Sequence, residues 1–537
     1  MSSPSCGVYR EPGLTTDARD SASRSKRRPL SLHVIAAFLL ITVFIASRIA
    51  LLVTSYDANQ NWEEPVFLFS STELARDGLA HVFEHQDDLN HGGSIPLFML
   101  AVPWVETVGT GLVSLKGIAI LWSTATLAAF LIVAWRYFSP RIALIWGTCF
   151  VALSPTLARI NVTLVGSHPE ALLPCALALG AYLEWVRRRR MSSGEGRLLA
   201  AALGVSCGLA VWMSYTAVAL VAPLLILRTL YARRPGPVAA VALGCIAGFG
   251  PWLYQNAWLR PHGALLWTAH LASTNPTTTV ITQRLASALD ELAASFGYGA
   301  FGGWLTLSVC VLGLAMATAA LFLPDGRAAS RVDPLAVAPL VAASVLGLLL
   351  ILAARIPVAP AEGYYHYRFY VPLQVALFWT LALAIDRLGS VVGWAPIALA
   401  GVAALIAAAT SDAHLFGQGN HYEPDFHRDR DLGCHVFGVA ESDRSPDWAT
   451  AIERLAALQD PDCRERAFGG LGWGIGGRWA ENRDVDAART ALRTISDPRL
   501  RSRACGGFAF VVSRTSDAAL TPDDRADALK QIASVCR

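Results

Sequence analysis

Apolar runs long enough to cross a membrane recur along most of this chain, separated by short polar breaks. A helix of about 20 apolar residues spans the hydrocarbon of a bilayer. On this criterion the pattern predicts about eleven spans, at approximately 30–54, 112–135, 142–158, 166–186, 197–212, 214–230, 237–258, 301–323, 334–354, 369–386 and 391–410. The sequence therefore predicts an all-α polytopic membrane protein, preceded by a Ser-rich tail at 1–29 that is expected to be disordered.

Two breaks in the transmembrane domain, 30–411, are long enough to form substantial loops. The first covers 55–111, and its part before Pro96 is polar and rich in carboxylates. The second covers 259–300 and has apolar residues at helical spacing, at Leu285, Leu289, Leu292 and Phe296. That spacing is typical of an amphipathic helix, which would lie on the membrane surface or pack on the transmembrane bundle.

Arginine placement predicts the topology of the chain. Clusters such as Arg187 to Arg190 occur in alternate breaks, whereas the intervening breaks hold mostly single basic residues such as Arg260. Because Lys and Arg accumulate on the cytoplasmic side, the N-terminus is predicted to be cytoplasmic and both long loops to lie outside. An odd number of spans then places the C-terminus outside as well.

Composition agrees with a membrane protein and restricts its partners. Hydrophobic residues make up 54% of the chain and charged residues only 16%, which is too apolar for soluble domains alone. A formal net charge of +3 provides no argument for nucleic acid. A transporter is a third hypothesis, but it would be expected to place charged residues along a path through the membrane, and the predicted spans hold very few.

After about residue 411 the chain becomes polar, and 412–537 is predicted to form a helical-repeat domain. Arg464 to Trp473 resembles Arg501 to Phe510, and each follows an Asp-Pro pair. The period lies in the range of about 34 to 47 residues that is typical of helix-pair repeats. The domain also contains four cysteines, which form disulfides if it lies in an oxidising compartment and otherwise remain buried thiols; they are Cys434, Cys463, Cys505 and Cys536.

The first candidate for chemistry is the carboxylate group of the first outer loop. Asp57 follows the first span, and Glu63 and Glu64 are adjacent. Neighbouring carboxylates raise the pKa of one of them, which suits a general base near neutral pH. The alternative is simple solvation of a polar loop.

Two further motifs begin predicted spans at the same side. Val165 to Glu170 has the composition of a helix N-terminus, where His168 or Ser167 would cap and Glu170 would complement the helix dipole, and His168 could also donate to a phosphate. Glu362 to Pro372 places His366 and Arg368 among four tyrosines. This is either an interfacial aromatic belt or an arginine site for a phosphate or pyrophosphate.

The common sequence motifs for nucleotides, redox centres and catalytic zinc are absent from the sequence. It contains no Walker loop, dinucleotide fingerprint, paired CxxC or HExxH. His85, Asp87, Asp88 and His91 stand close together in the first loop, but a polar loop collects such residues by chance. No metal and no cofactor are therefore expected.

Four features follow one another along the chain: a first span, a large acidic outer loop, a span that begins at Gly166 to Glu170, and a late span that begins at Tyr367 to Pro372. This order of features resembles that of the GT-C superfamily, especially bacterial relatives of protein O-mannosyltransferases and lipid A aminoarabinose transferases. The resemblance covers roughly 30–410. It implies a GT-C-like bundle in which a carboxylate pair early in the first loop carries the catalytic base. Glu63 and Glu64 look like that pair, with Asp57 as the other candidate. Arg368 resembles the arginine that holds the phosphate of the lipid carrier.

The resemblance implies an inverting glycosyltransferase of the bacterial inner membrane. It would move a sugar from a polyprenyl-phosphate donor to a lipid, glycan or protein acceptor on the periplasmic side. The candidate substrate-binding residues are His168, Glu170, His366 and Arg368. The alternative hypothesis is a non-catalytic membrane scaffold whose domain at 412–537 recruits a protein partner.

Overall fold

The structure is a computed structural model, and most of its described residues lie in helices. It describes residues 32–54, 64, 71, 74–75, 78, 95–108, 112–164, 168–188, 193–231, 235–255, 281–297, 299–322, 333–353, 363–392, 434, 438–439, 441–442, 445, 447–459, 461–514 and 522–536. Within these ranges the chain contains helices and turns and no strand. The predicted N-terminal tail and most of the predicted span at 391–410 lie outside them.

Thirteen of the described helices belong to the apolar part of the chain. They are α1 Leu32–Thr54, α2 Ile95–Val108, α3 Leu112–Tyr137, α4 Pro140–Ala152, α5 Pro155–Ile160, α6 Leu172–Arg187, α7 Ser193–Met213, α8 Val218–Leu230, α9 Pro235–Leu253, α10 Ile281–Ala294, α11 Gly299–Phe322, α12 Pro334–Ala353 and α13 Val371–Val392. Short 3₁₀ helices, Tyr215–Ala217 and Gly363–Tyr370, precede α8 and α13.

Seven of the described helices are long and apolar enough to cross a membrane, namely α1, α3, α7, α9, α11, α12 and α13. Large apolar side chains on these helices point away from the protein, and Leu32, Phe38, Ile132, Leu243 and Phe301 each expose more than half of their surface. In water such surfaces would be costly, whereas lipid covers them without penalty. The chain is therefore a multi-pass α-helical membrane protein. The other predicted spans correspond to shorter helices or lie outside the described residues.

Helices α7 and α9 pack with their backbones in direct contact through glycines. Gly204 faces the backbone around Val241 and Gly244, and Gly208 faces the backbone around Gly248. Even one added methyl group at these glycines would overlap a backbone atom of the other helix. Because 204 pairs with 244 and 208 with 248, the two helices run parallel. Helix α8 connects the end of α7 to the start of α9 and therefore runs in the opposite direction to both.

One end of the bundle collects arginines from several helices. Glu184 of α6 accepts hydrogen bonds from Arg136 at 3.3 Å and from Tyr137 at 2.7 Å, and it pairs with Arg187 at 2.8 Å. Arg228 lies over the ring of Trp185 at 4.4 Å. The arginine pattern of the sequence assigns all these residues to one side of the membrane, and the structure brings them together.

The opposite end contains two further helices, one from each of the segments predicted as long outer loops. Helix α2 lies within 55–111, where the run Ile95 to Val102 is apolar and mostly buried. Helix α10 lies within 259–300 and packs on the bundle, with Leu292 and Phe296 fully buried. The Tyr370 hydroxyl donates to Glu291 Oε2 at 2.6 Å and so joins α10 to the start of α13. Of the two placements expected for α10, packing on the bundle is the one observed.

The remaining described helices form the C-terminal part, in two rows. They are α14 Trp448–Ala456, α15 Pro461–Asn482, α16 Val485–Thr494, α17 Pro498–Arg514 and α18 Pro522–Cys536. Helix α15 contacts α17, whereas α16 contacts both α14 and α18. Gly472 faces the backbone of Ala504, and Gly507 faces the backbone of Gly469. Close helix contacts thus occur at glycines of the repeated sequence, while the assignment to a repeat family stays a prediction.

All four cysteines of this C-terminal part are paired. Cys434 bonds Cys463 across a Cα–Cα distance of 5.1 Å, and Cys505 bonds Cys536 across 5.9 Å. The second bond joins α17 to α18, and each bond limits the freedom of the unfolded chain. Of the alternatives left by the sequence, the structure shows disulfides and selects this pairing.

Candidate functional site

Glu64 makes a buried ion pair that anchors the first loop. Both of its carboxylate oxygens lie 2.9 Å from Lys116 Nζ, and neither side chain is exposed. The backbone N–H of Leu164 also donates to Glu64 Oε1 at 3.3 Å. Glu64 thus ties the loop to the start of α3 and to the segment that leads into His168. A buried carboxylate without a positive partner would be strongly unfavourable, so the pairing with Lys116 allows Glu64 to be buried.

This ion pair changes what is expected of the two adjacent glutamates. A proton taken up by Glu64 would cancel the charge that compensates buried Lys116. Glu64 is therefore already engaged as one partner of a buried ion pair. Glu63 and Asp57 themselves lie outside the described residues.

His168 lies in a buried pocket of hydroxyl groups and rings. Its Nδ1 atom is 2.6 Å from Ser214 Oγ and 3.2 Å from Thr216 Oγ1. The imidazole packs edge-on against Phe369, with ring centroids 4.6 Å apart, and against Tyr215 at 5.6 Å. The segment between α7 and α8 therefore contributes to a site that the sequence assigned to residues 165–170 alone.

The cap expected from His168 is wrong, and Ser167, the other candidate, lies outside the described residues. Helix α6 begins at Leu172, and its N-cap Ala171 makes no side-chain hydrogen bond. The residues before it form a turn, in which Leu172 N–H donates to the Pro169 carbonyl at 3.1 Å. Since the His168 imidazole bonds Ser214 and Thr216 instead, it is unavailable as a cap.

Arg368 lies beside His168 at the start of α13. Its guanidinium is 5.1 Å from the ring centroid of Phe369, the same ring that packs on the imidazole. Burial lowers the pKa of His168 well below its ordinary value, and the positive charge of Arg368 lowers this pKa further. His168 is therefore neutral at neutral pH, and Arg368 supplies the positive charge here.

The two other predicted binding residues occupy neighbouring positions. Glu170 is buried, and its backbone carbonyl accepts a hydrogen bond from Trp122 Nε1 at 2.8 Å. His366 lies on the 3₁₀ helix that ends at Tyr370, but its side chain is outside the described part. The loop residues considered for a metal, His85, Asp87, Asp88 and His91, also lie outside it.

Sequence reasoning missed the partners that complete these contacts. Nothing in the sequence around Lys116 marks it as the partner of Glu64. Ser214 and Thr216 carried no motif, because hydroxyl residues near a helix end are common. Glu291 lies in the amphipathic segment of the second loop, and its contact with Tyr370 joins residues 79 positions apart.

No protein-family model matches this sequence, and no curated protein matches it significantly. The fold and the site define a multi-pass α-helical membrane protein with a buried polar cluster at one end of the bundle. Its function is therefore argued from that cluster.

Proposed function

We propose that this protein is an inverting glycosyltransferase that takes a sugar from a polyprenyl-phosphate donor. Three sequence motifs that are far apart in the chain support the proposal by lying at the same end of the bundle. The first-loop carboxylate Glu64 bonds Leu164, four residues before His168. His168 in turn contacts Phe369, the neighbour of Arg368. Glu64 and both phosphate-binding candidates thus belong to one continuous region.

In this proposal each group has a separate task. Arg368 carries the charge that holds the donor phosphate, since a guanidinium binds phosphate oxygens by paired hydrogen bonds. His168 adds a hydrogen bond. Glu63 accepts the proton of the acceptor hydroxyl as the sugar is transferred and the lipid phosphate leaves. The ion pair of Glu64 with Lys116 keeps the loop in place.

We place the site on the periplasmic face of a bacterial inner membrane. The end that gathers Arg136, Arg187 and Arg228 would face the cytoplasm according to the positive-inside rule. The site lies at the opposite end. Two disulfides in the C-terminal part support an oxidising compartment for that part as well. The acceptor would then be a periplasmic lipid, glycan or protein.

The proposal is tested by the lipids of cells that carry Arg368→Gln. Loss of transfer should raise the level of sugar-linked polyprenyl phosphate and lower one glycosylated product, both measured by mass spectrometry of extracts. Arg493→Gln serves as the control, because Arg493 is exposed on α16. Equal membrane levels of both variants are verified first. Unchanged donor and product in Arg368→Gln would contradict the proposal.

A non-catalytic scaffold is the competing function, and the compact pairing of α14 to α18 is the observation in its favour. It predicts that removal of 412–537 abolishes the phenotype, whereas Arg368→Gln and Glu63→Gln leave it intact. The glycosyltransferase proposal predicts that Arg368→Gln and Glu63→Gln lower the amount of glycosylated product more than removal of 412–537 does.

A further inference from the structure

We infer that Ser214 and Thr216 are positioning residues that hold His168 as the neutral tautomer with its proton on Nε2. In this state the imidazole is a directed hydrogen-bond donor for the phosphate of the lipid carrier, beside the charge of Arg368. The ligand part of this inference rests on the proposed function. The tautomer part rests on the geometry of the three side chains alone.

The three polar atoms form a closed triangle. Ser214 Oγ lies 2.6 Å from His168 Nδ1 and 2.7 Å from Thr216 Oγ1, and Thr216 Oγ1 lies 3.2 Å from Nδ1. The backbone N–H of Thr216 donates to Ser214 Oγ at 3.3 Å, which fixes the serine as the N-cap of the 3₁₀ helix. The Ser214 hydroxyl is therefore held in place. Its hydrogen bond to Nδ1 then fixes the orientation of the His168 ring.

The short distance indicates which atom donates. Hydroxyl donors form bonds of about 2.5 to 3.0 Å, whereas N–H donors prefer about 2.9 to 3.0 Å. A contact of 2.6 Å between Ser214 and Nδ1 therefore fits a hydroxyl that donates to an unprotonated nitrogen. Thr216 can then donate to Ser214, so that both hydroxyl protons are used inside the triangle. If Nδ1 carried the proton, one hydroxyl proton would have no acceptor in it.

A second proton on the ring is disfavoured by its surroundings. The imidazole is 4% exposed and lies between the rings of Phe369 and Tyr215. The charged group that acts on it is the guanidinium of Arg368, which repels an imidazolium. Among the described residues no carboxylate hydrogen-bonds the ring. The neutral ring must carry its one proton on Nε2, because Nδ1 is an acceptor.

This arrangement gives the site two complementary donors. Arg368 provides a full positive charge, and His168 provides a fixed direction without placing a second cation in a buried position. All hydrogen bonds that the described residues make to the ring are at Nδ1, so Nε2–H remains available for a ligand oxygen. A phosphate monoester, which carries several acceptor oxygens, matches this pair.

The tautomer is measured by nitrogen-15 NMR of protein labelled at histidine. The chain has twelve histidines, and the signal of His168 is assigned by its loss in His168→Gln. We expect the spectrum of the wild type to show an unprotonated Nδ1 and a protonated Nε2. Ser214→Ala should alter this signal. A protonated Nδ1 in the wild type would overturn the inference.

The role toward the ligand is measured by binding of farnesyl phosphate to the purified protein in detergent. Ser214→Ala should weaken binding by about 3- to 10-fold, the value of one well-placed hydrogen bond. Ser214→Thr keeps the hydroxyl and should restore most of the affinity. Ser344→Ala is the control, because Ser344 is buried in α12 and its hydroxyl donates within its own helix, to the carbonyl of Leu340 at 3.0 Å.

The outcomes separate this inference from the proposed function. If the wild type binds farnesyl phosphate and Ser214→Ala binds it equally well, the positioning role is wrong and the proposed function stands. If the wild type binds inorganic phosphate as tightly as farnesyl phosphate, the lipid carrier is not the ligand. If it binds neither, the ligand part fails together with the proposed function, while the NMR signal still decides the tautomer.

Discussion

Breaking the buried pair of Glu64 and Lys116 should destabilise the protein much more than a loop substitution would. Glu64→Gln removes the carboxylate charge that pairs with the buried Lys116 ammonium, and neither side chain is exposed in the native structure. Removal of one partner of a buried ion pair costs about 3 to 5 kcal/mol. For a domain of a few hundred residues this corresponds to a fall in the melting temperature of roughly 5 to 15 °C.

A double-mutant cycle measures this effect. Glu64→Gln, Lys116→Met and the double variant are purified in one detergent, and thermal unfolding is followed by intrinsic fluorescence. Because the two side chains pair with each other, changing both should cost less than the sum of the single effects, and the double variant should be more stable than additivity predicts. We expect a coupling free energy of about 2 kcal/mol. Additive effects, or a melting temperature of Glu64→Gln equal to that of the wild type, would refute the reasoning.

The same variants separate stability from catalysis. If Glu64 only positions the loop, the double variant should recover transfer activity along with its fold. Glu63→Gln should abolish transfer and leave the melting temperature unchanged. A double variant that is stable and fully inactive would instead identify Glu64 as the base.

Three further predictions concern other parts of the molecule. Since the pKa of His168 is lowered in the folded state, the unfolded state takes up its proton first as the pH falls; the melting temperature should therefore drop below pH of about 6.5, and less so in His168→Gln. Gly204→Ala should cost about 1 to 3 kcal/mol by overlap with α9, whereas Gly250→Ala, which meets open space, should fold normally in a detergent-stability assay. Non-reducing peptide mapping should find Cys505 linked to Cys536, and Cys505→Ser should cost about 2 to 5 kcal/mol in thermal unfolding.

Many of the membrane helices can be predicted from the sequence, because long apolar runs mark the segments that are more stable in lipid than in water. The bounds predicted for the first span and for 301–323 agree closely with α1 and α11. Helix α2 was missed, since its 14 residues are too short for a span and stand in a loop dominated by charge. The pattern also left two placements for α10, because one amphipathic face suits a membrane surface or a protein surface equally.

The candidate site was predicted as three separate motifs rather than as a set of contacts. His168 and Arg368 were singled out because their side chains suit phosphate, and the structure brings their segments together. Their partners depend on tertiary packing. Nothing near Lys116 in the chain indicates that Glu64, 52 positions earlier, neutralises it. The cap expected at His168 failed for the same reason, because a distant serine competes for the imidazole.

The most direct test of the account compares the glycolipids and glycoproteins of cells that carry Glu63→Gln or Glu106→Gln. Glu106 is an exposed carboxylate of α2 and controls for the loss of a charge near the same loop. At matched membrane levels, mass spectrometry should find one glycosylated species missing in Glu63→Gln and present in Glu106→Gln. Identical profiles for Glu63→Gln, Glu106→Gln and the wild type would contradict the assignment of a glycosyltransferase with its base in the first loop.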